Sequence, residues 1–444
     1  MSDELRPEVE KAVKLAKAGK IDVILVSGDN KATAVHFAIK AGILLKPNAE
    51  DPTICMTGEE FRSKVGKLKF NKDKNDYELE DQSVFNSFIL KNKVKVIARA
   101  TPEDKQLLSV GFTKQGKTVA VTGEGINDIK ALTSAAVGFS MNSGVSATKN
   151  ASKMILAQDN IMSIINAILW GRNIYSNVRK FIQFQLTVNF TTLVMMFISA
   201  FSSGTPAFST IQLLWINMIM DMLAAIALAA ERPQLSIINN PSVKNHENLI
   251  TKTMWKQIIG MSGYITLVMA IMFFFIDNMW DLPYSYNDSF LDSDDKPTNK
   301  NIVFTLLFNT FIYLHMFNQI NCRKIQNDQY NVFSHILNNF YFLVTFSSIV
   351  VFQYFFVNWG GKLTRCAELT GEQHAFCVLI GSTSLIASFV LKLLPTSLND
   401  KIPAIIDERK ANSNNFIIRF YKTQSEAKVF NKAAKDQLKK VLPK

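Results

Sequence analysis

Six apolar runs follow one another in this 444-residue chain, at roughly 181–201, 208–229, 257–277, 302–318, 336–357 and 375–394. Each approaches the ~20 residues that a helix needs to cross a bilayer core. The fourth is short and carries His315. Soluble proteins rarely hold several such runs in series, so the sequence predicts an integral, multi-pass membrane protein in contact with lipid. Six crossings put both ends on one side. The connection 278–301 holds Asp281, Asp288, Asp292, Asp294 and Asp295 against Lys296 and Lys300. The connection after the second run carries Arg232, Lys244 and Lys252, and that after the fourth carries Arg323 and Lys324. The positive-inside rule therefore places the residues before the first run, and the tail after the last, in the cytoplasm. The formal charge of +12 belongs to this asymmetry and needs no nucleic acid. The opening MSDELRPEVEK lacks the apolar core of a signal peptide. Four widely spaced cysteines exclude a disulfide framework and a CxxC metal site, although Cys366 and Cys377 flank one outer loop and leave a single disulfide open. That side also carries the sequon Asn287-Asp288-Ser289. Trp255, Trp280 and Trp359 suit interface anchors.

The first 160 residues read differently. Val9, Ala12, Val13 and Ala16 share one face of a helix over 7–19, and IDVILV (21–26) follows as a β-branched run. A helix is expected from Ala32 to Ala41, then a strand at 94–100, a helix at 103–114, a strand within 117–125, a short helix and a last strand at 137–141. Strands alternating with helices predict a parallel sheet with its site at the strand C-termini. The Lys-rich residues 46–90 read as an irregular surface insertion.

Three strand ends carry chemistry. Ser27-Gly28-Asp29 follows the first strand, Lys105 opens the helix after the second, and Gly123-Glu124-Gly125-Ile126-Asn127-Asp128 follows the third. A hydroxyl with backbone N–H groups at a strand-to-helix turn holds a phosphate, and a lysine beside them neutralises charge in phosphoryl transfer. Carboxylates four residues apart, Glu124 and Asp128, suit a Mg²⁺ that keeps several waters. Any one of these is an ordinary turn; all three in this order are not.

These residues resemble the P-type cation-transporting ATPases, specifically calcium pumps of the plasma-membrane type. DELRPEV (3–9) is similar to the family's DPxRPEV, VSGDN (26–30) stands where the family has TGD, ATPEDK (100–105) resembles its lysine segment, and TGEGINDIKAL (122–132) its TGDGxNDxxAL hinge. Downstream, residues 171–189, 212–221 and 317–325 resemble the fifth, sixth and eighth helix regions of such pumps. The resemblance implies the second part of a haloacid-dehalogenase-like α/β phosphorylation domain (1–160), a stalk helix (161–180), a six-helix membrane domain (181–395, pump helices five to ten) and a basic cytoplasmic tail (396–444). It implies ATP-driven Ca²⁺ transport, in a plasma membrane or Ca²⁺-storing endomembrane, with ATP as substrate and Mg²⁺ as cofactor. It assigns Lys105 and Ser27, with Gly28, to the transferring phosphoryl group, Asp29 and Asn127 to its pocket, and Asp128 with Glu124 to Mg²⁺. Glu124 stands where the family has Asp, one methylene shorter. No DKTGT occurs in the chain, so the phosphorylated aspartate, the nucleotide and actuator domains and the first four helices are not within it. The chain alone is expected to form no phosphoenzyme. A non-enzymatic membrane protein, a truncated, regulatory or partner-dependent subunit that keeps the cation site, is the alternative. A soluble-type phosphatase head on a membrane anchor fails for want of the same aspartate.

Inside the second apolar run, Asn217 and Asp221 lie four residues apart and share a helix face. A carboxylate at that depth is expensive and marks a pathway or site. Asn189 sits mid-span on the preceding helix, and oxygen ligands of this kind suit Ca²⁺. Reticulum-type pumps that move two ions carry Glu and Thr where this chain has Thr192 and Met220, so the resemblance is to pumps that move one. His315, where such pumps have Gln, is expected to pack. The tail from 396 holds eleven Lys/Arg against five Asp/Glu. Within it, 428–442 forms a basic amphipathic pattern suited to calmodulin or to an anionic lipid surface, with a solvated tail as the plain alternative.

Overall fold

The computed structural model describes residues 5–71, 76–239, 248–285, 288–291, 297–326, 330–334 and 336–394. Expectations for Lys244, Asn287, Asp292, Asp294, Asp295, Lys296 and the tail lie outside the described residues.

The head runs α1 (Val9–Ala18), β1 (Leu25–Val26), α2 (Lys31–Lys40), β2 (Cys55–Thr57), α3 (Gly58–Val65), β3 (Leu68–Asn71), β4 (Asp76–Leu79), α4 (Gln82–Lys91), β5 (Val96–Ala98), α5 (Pro102–Lys114), β6 (Ala120–Gly123), α6 (Ile129–Ser134), β7 (Val137–Ser140), α7 (Ser146–Ala151) and β8 (Met154–Ile155). Its helices begin where capping chemistry dictates. Thr57 and Glu60 form a capping box on α3, and Thr101 and Asp104 form one on α5 with Pro102 in the first turn; each satisfies orphan N–H groups at the helix start.

Two expectations are corrected. The segment 46–90 is regular, because apolar residues scattered among its lysines converge: Met56, Phe61, Val65, Phe85 and Phe88 build one core with Ile97 and Leu107. Its strand β2 joins the sheet, with Cys55 opposite Val96 and Thr57 opposite Ala98. The parallel sheet itself is divided. One half has the order β1-β5-β2 and the other β6-β7-β8, with no pairing between them. Among the described residues the edge strands are β1 and β2 in the first half and β6 and β8 in the second, and β6 alternates between exposed and half-buried where β7 is mostly buried.

The remainder is helical: α8 (Ile161–Ser203), α9 (Thr210–Leu214), a π-helical stretch at Trp215–Met220, α10 (Asp221–Ala229), α11 (Lys252–Met279), α12 (Asn299–Cys322), α13 (Phe340–Trp359), α14 (Gly361–Thr364) and α15 (Gly371–Leu393). The segment expected as a stalk and the first apolar run form one helix of 43 residues, about 65 Å long at 1.5 Å per residue. Among the described residues, five helical segments are long and apolar enough to cross a membrane: 161–203, 210–229, 252–279, 340–359 and 371–393. The fourth predicted run lies in α12, which is not among them. The others turn large apolar side chains outward, as Phe201 and Leu379 do, while α12 is buried along nearly its whole length and carries Asn301, Asn309, His315, Asn318, Gln319 and Asn321 inside the bundle. Gly381 lets α15 approach it: a Cβ there would stand 2.7 Å from the Cβ of Tyr313. All of the cysteines are free and buried. Cys366 and Cys377 turn to different partners, Gln212 and the carbonyl of Leu306, so the disulfide left open above does not form.

The chain leaving α10 is laced to the stalk. Arg172 donates to the carbonyls of Ile238 and Gly19. Asn173 donates to Glu231 O at 2.7 Å and Asn177 to Ala229 O at 3.1 Å. The Glu231 carboxylate meets Lys180 at 2.6 Å and Arg323, at the end of α12, at 3.2 Å. Head, stalk and bundle therefore share one polar seam, and ordinary charged residues in a connection gave no sign of it.

Candidate ion site and strand-end loops

In the bundle, α8 and the α9–α10 segment bring the predicted ligands to one place. Asp221 is 5% exposed. One of its oxygens accepts from Gln185 Nε2 at 2.6 Å, and the same nitrogen reaches Asn189 Oδ1 at 3.4 Å. The other Asp221 oxygen, Oδ1, is buried with no hydrogen-bond partner among the described residues. Asn217 stands one turn before Asp221, in the π stretch, and donates to Leu213 O at 3.1 Å. A π stretch widens the turn and re-aims side chains, and such stretches recur at functional sites. Asn189, Thr192 and Asn217 open on a groove of about 460 Å³ whose other walls include Leu193, Phe197 and Leu213. Thr192 donates to Val188 O at 2.8 Å, and Met220 is buried.

Sequence reasoning missed Gln185. It lies four residues before Asn189, so the same helical spacing that paired Asn217 with Asp221 would have found it. His315 is fully buried against Phe311, its ring 4.4 Å away, and neither of its nitrogens has a partner among the described residues.

In the head, two pairs form. Ser27 Oγ donates to Asp29 Oδ2 at 2.8 Å and accepts from Asp29 N at 3.1 Å. Their loop is stitched to the end of β5 by Ala100 N to Ser27 O and Arg99 N to Asp29 O. Gly28 has open space where a Cβ would go, so the loop leaves its backbone approachable. The second pair is Lys105 and Asp128, 2.7 Å apart. Lys105 is aimed by the α5 capping box, whose fully buried Asp104 accepts from Thr101 and pairs with Arg62. Asp128 folds back beneath its own loop, where Oδ2 accepts from Glu124 N at 3.2 Å and Gly125 N at 3.3 Å. Gly123 is required for this, because a Cβ there would lie 2.4 Å from that of Asp128. No hydrogen bond or ion pair joins the Ser27 pair to the Lys105 pair among the described residues.

Glu124 and Asn127 are exposed, and their side chains make no hydrogen bond among the described residues. No group of three or more His, Cys, Asp or Glu capable of holding a metal occurs there either. Both oxygens of Asp128 are engaged in this arrangement, Oδ1 by Lys105 and Oδ2 by the loop N–H groups.

Residues 205–394 match the family model described as cation transporting ATPase, C-terminus. The chain is 35% identical over 403 residues to plasma membrane calcium-transporting ATPase 1 of Homo sapiens, covering 89% of this chain and 31% of that protein. It is 36% identical over 396 residues to calcium-transporting ATPase 5, plasma membrane-type, of Oryza sativa subsp. japonica, covering 89% and 34%. To plasma membrane calcium-transporting ATPase 4 of Homo sapiens it is 36% identical over 402 residues, covering 89% and 31%. The chain thus spans about a third of the length of these relatives. Together with its apolar helices, the similarity makes it a multi-pass membrane protein.

Proposed function

We infer that this chain, which belongs to the P-type cation-transporting ATPases on the similarity just given, supplies the ion-binding helices and the hinge loops of an ATP-driven Ca²⁺ pump. The observation that carries the reading is Asp221. A carboxylate buried in an apolar bundle, with one oxygen held by an amide and the other unpartnered, is a costly arrangement that a bound cation resolves. Asn189 and Asn217 add neutral oxygens at the same groove, and all-oxygen ligation favours a hard cation such as Ca²⁺ over zinc or copper. The relatives named above are calcium-transporting.

In this reading α12 is the sixth crossing, admitted to the membrane because its polar groups face protein rather than lipid. The groove beside Asn189 and Asn217 is closed by a helix from the two thirds of the relatives' length that this chain does not span, which brings a further carboxylate. The head is read as part of a haloacid-dehalogenase-like domain. Its open edges β1 and β6 accept one parallel strand between them, which joins both sheets into one and sets that strand's C-terminal end between Ser27 and Lys105. A phosphoryl group there would receive charge from Lys105 and a hydroxyl from Ser27. Lys105 then exchanges Asp128 for phosphoryl oxygens, and that exchange frees Asp128. Glu124 and Asn127, exposed and unengaged, are free to meet incoming groups.

The test is a chimera in which residues 5–394 replace the matching third of a plasma-membrane-type relative. ATP-dependent Ca²⁺ uptake into vesicles supports the reading. Ca²⁺ binding without uptake would instead favour a non-enzymatic subunit that keeps the cation site.

A further inference from the structure

Five side chains at the end of the bundle remote from the head form a chain of hydrogen bonds with a single direction. Trp215 Nε1 donates to Gln353 Oε1 at 2.9 Å. Gln353 Nε2 donates to Asn309 Oδ1 at 3.1 Å. Asn309 Nδ2 meets His374 Nδ1 at 3.3 Å, and His374 Nε2 meets Asn358 Oδ1 at 3.4 Å. Gln353 and Asn309 are fully buried, and His374 is half-buried. An indole nitrogen donates and never accepts, so Trp215 orients every group after it. Gln353 must turn its oxygen to Trp215 and its NH₂ to Asn309. Asn309 must then turn its NH₂ to His374. His374 therefore accepts at Nδ1 and carries its proton on Nε2, from which it donates to Asn358.

We propose that this chain is a proton-sensitive latch: a proton taken up at His374 Nδ1 breaks it and releases Trp215, the first residue of the π stretch that carries Asn217. A protonated imidazole has two donors and no acceptor. Asn309 then faces it with a donor. Flipping the Asn309 amide sets NH₂ against the NH₂ of Gln353, and flipping Gln353 sets NH₂ against the indole N–H. No arrangement satisfies every link, and a buried donor left without an acceptor is what the interior tolerates least.

Among the described residues, the hydrogen bonds of the His374 ring are those to Asn309 and Asn358. Ionisable groups on the elements packed about it include Tyr354 on α13, its ring 5.4 Å away, Lys300 and Tyr313 on α12, Tyr264 and Asp277 on α11, Lys362 on α14, Arg365 and Glu368 before α15, and Glu372 and Cys377 on α15 itself. None of them forms an ion pair with His374 among the described residues. Trp215 also packs its ring 4.3 Å from that of Phe356, so its release frees the start of the π stretch rather than the whole helix. The consequence for ion release rests on reading Asn217 and Asp221 as ion ligands; the latch itself does not.

The experiment uses the full chain in lipid nanodiscs, with Trp170, Trp255, Trp280 and Trp359 replaced by Phe so that Trp215 alone reports. Ultraviolet resonance Raman reads whether its indole N–H is hydrogen-bonded. Between about pH 7.5 and about pH 5, across which imidazole titrates, the bonded signature is expected to be lost. His374→Gln, whose amide offers oxygen to Asn309 and NH₂ to Asn358, should keep that signature at both pH values. Gln353→Leu should lack it at both. A parent without a pH response overturns the proposal. So does a response that survives in His374→Gln, or a bonded signature that survives in Gln353→Leu at neutral pH. Loss of Ca²⁺ transport in the chimera would sink the functional reading and leave these spectra unaffected.

Discussion

Replacing Glu231 by Gln should unlace the bundle from the stalk. The carboxylate lies between Lys180 and Arg323, with side-chain exposures of 12% for Glu231, 12% for Lys180 and 1% for Arg323. Breaking a buried ion pair by removing one partner costs about 3–5 kcal/mol, because a charge is left uncompensated. Two features place this case at the lower end. Arg323 keeps the carbonyls of Val332 and Ser334, and Lys180 keeps Asn177 Oδ1 at 3.3 Å. A loss of about 3 kcal/mol lowers the melting temperature by roughly 6–12 °C for a domain of this size. The assay is a thermal ramp in nanodiscs with a thiol-reactive dye, since Cys322, Cys366 and Cys377 are buried until the bundle opens. The triple variant Glu231→Leu, Lys180→Met, Arg323→Met removes these three charges together and should recover most of the loss. A triple variant as unstable as Glu231→Gln would refute the electrostatic argument and leave packing as the cause. So would a single variant within 1 °C of the parent.

The same cluster predicts a pH dependence. Burial works against the Glu231 charge, but Lys180 and then Arg323 outweigh it and hold the carboxyl below its ordinary 4.5. A depressed carboxyl contributes stability that is whole above the unfolded value and lost as pH falls through the folded one. The parent should therefore lose stability below about pH 4.5 more steeply than Glu231→Gln does. Gln185→Leu leaves Asp221 without its donor and should weaken Ca²⁺ binding by the chimera about tenfold, the equivalent of roughly one hydrogen bond; unchanged affinity in a ⁴⁵Ca²⁺ assay would remove Gln185 from the site. Gly111→Ala sets a Cβ 2.4–2.7 Å from the Phe85 ring, and the overpacking outweighs the gain in helix propensity by about 1–2 kcal/mol. Faster proteolysis within 82–114 of the full chain should show it.

What the sequence made legible follows from how each signal is carried. The helices α1, α2 and α5 and the strands β5, β6 and β7 are local: apolar periodicity and Gly-Asp punctuation mark them within a few residues. The bundle's outward helices announce themselves by composition. The β2–α4 region did not, because Phe61, Val65, Phe85 and Phe88 are spaced among lysines and meet only in three dimensions. The divided sheet was invisible for a similar reason, since alternation of strands and helices says nothing about which edges pair. Among the candidate ligands, Asn189, Asn217 and Asp221 were found as polar residues in apolar runs; Asn189 and Asn217 line one groove, and Gln185 ties Asp221 to Asn189. Gln185 escaped because it lies near the start of its run, where a polar residue is unremarkable. Lys180, Glu231 and Arg323 read as ordinary basic and acidic residues of the connections. Their pairing joins elements separated by 51 and 92 positions, which no local pattern reports.

The most direct test of the account is phosphoenzyme formation in the chimera carrying Asp221→Asn. If Asp221 is a Ca²⁺ ligand, Ca²⁺-dependent phosphorylation by ATP should be abolished, while phosphorylation by inorganic phosphate, which needs only the head, should persist at the parent level. Ca²⁺-dependent phosphoenzyme of normal amount and normal Ca²⁺ sensitivity in that variant would contradict the claim that this chain holds the transported ion at Asp221.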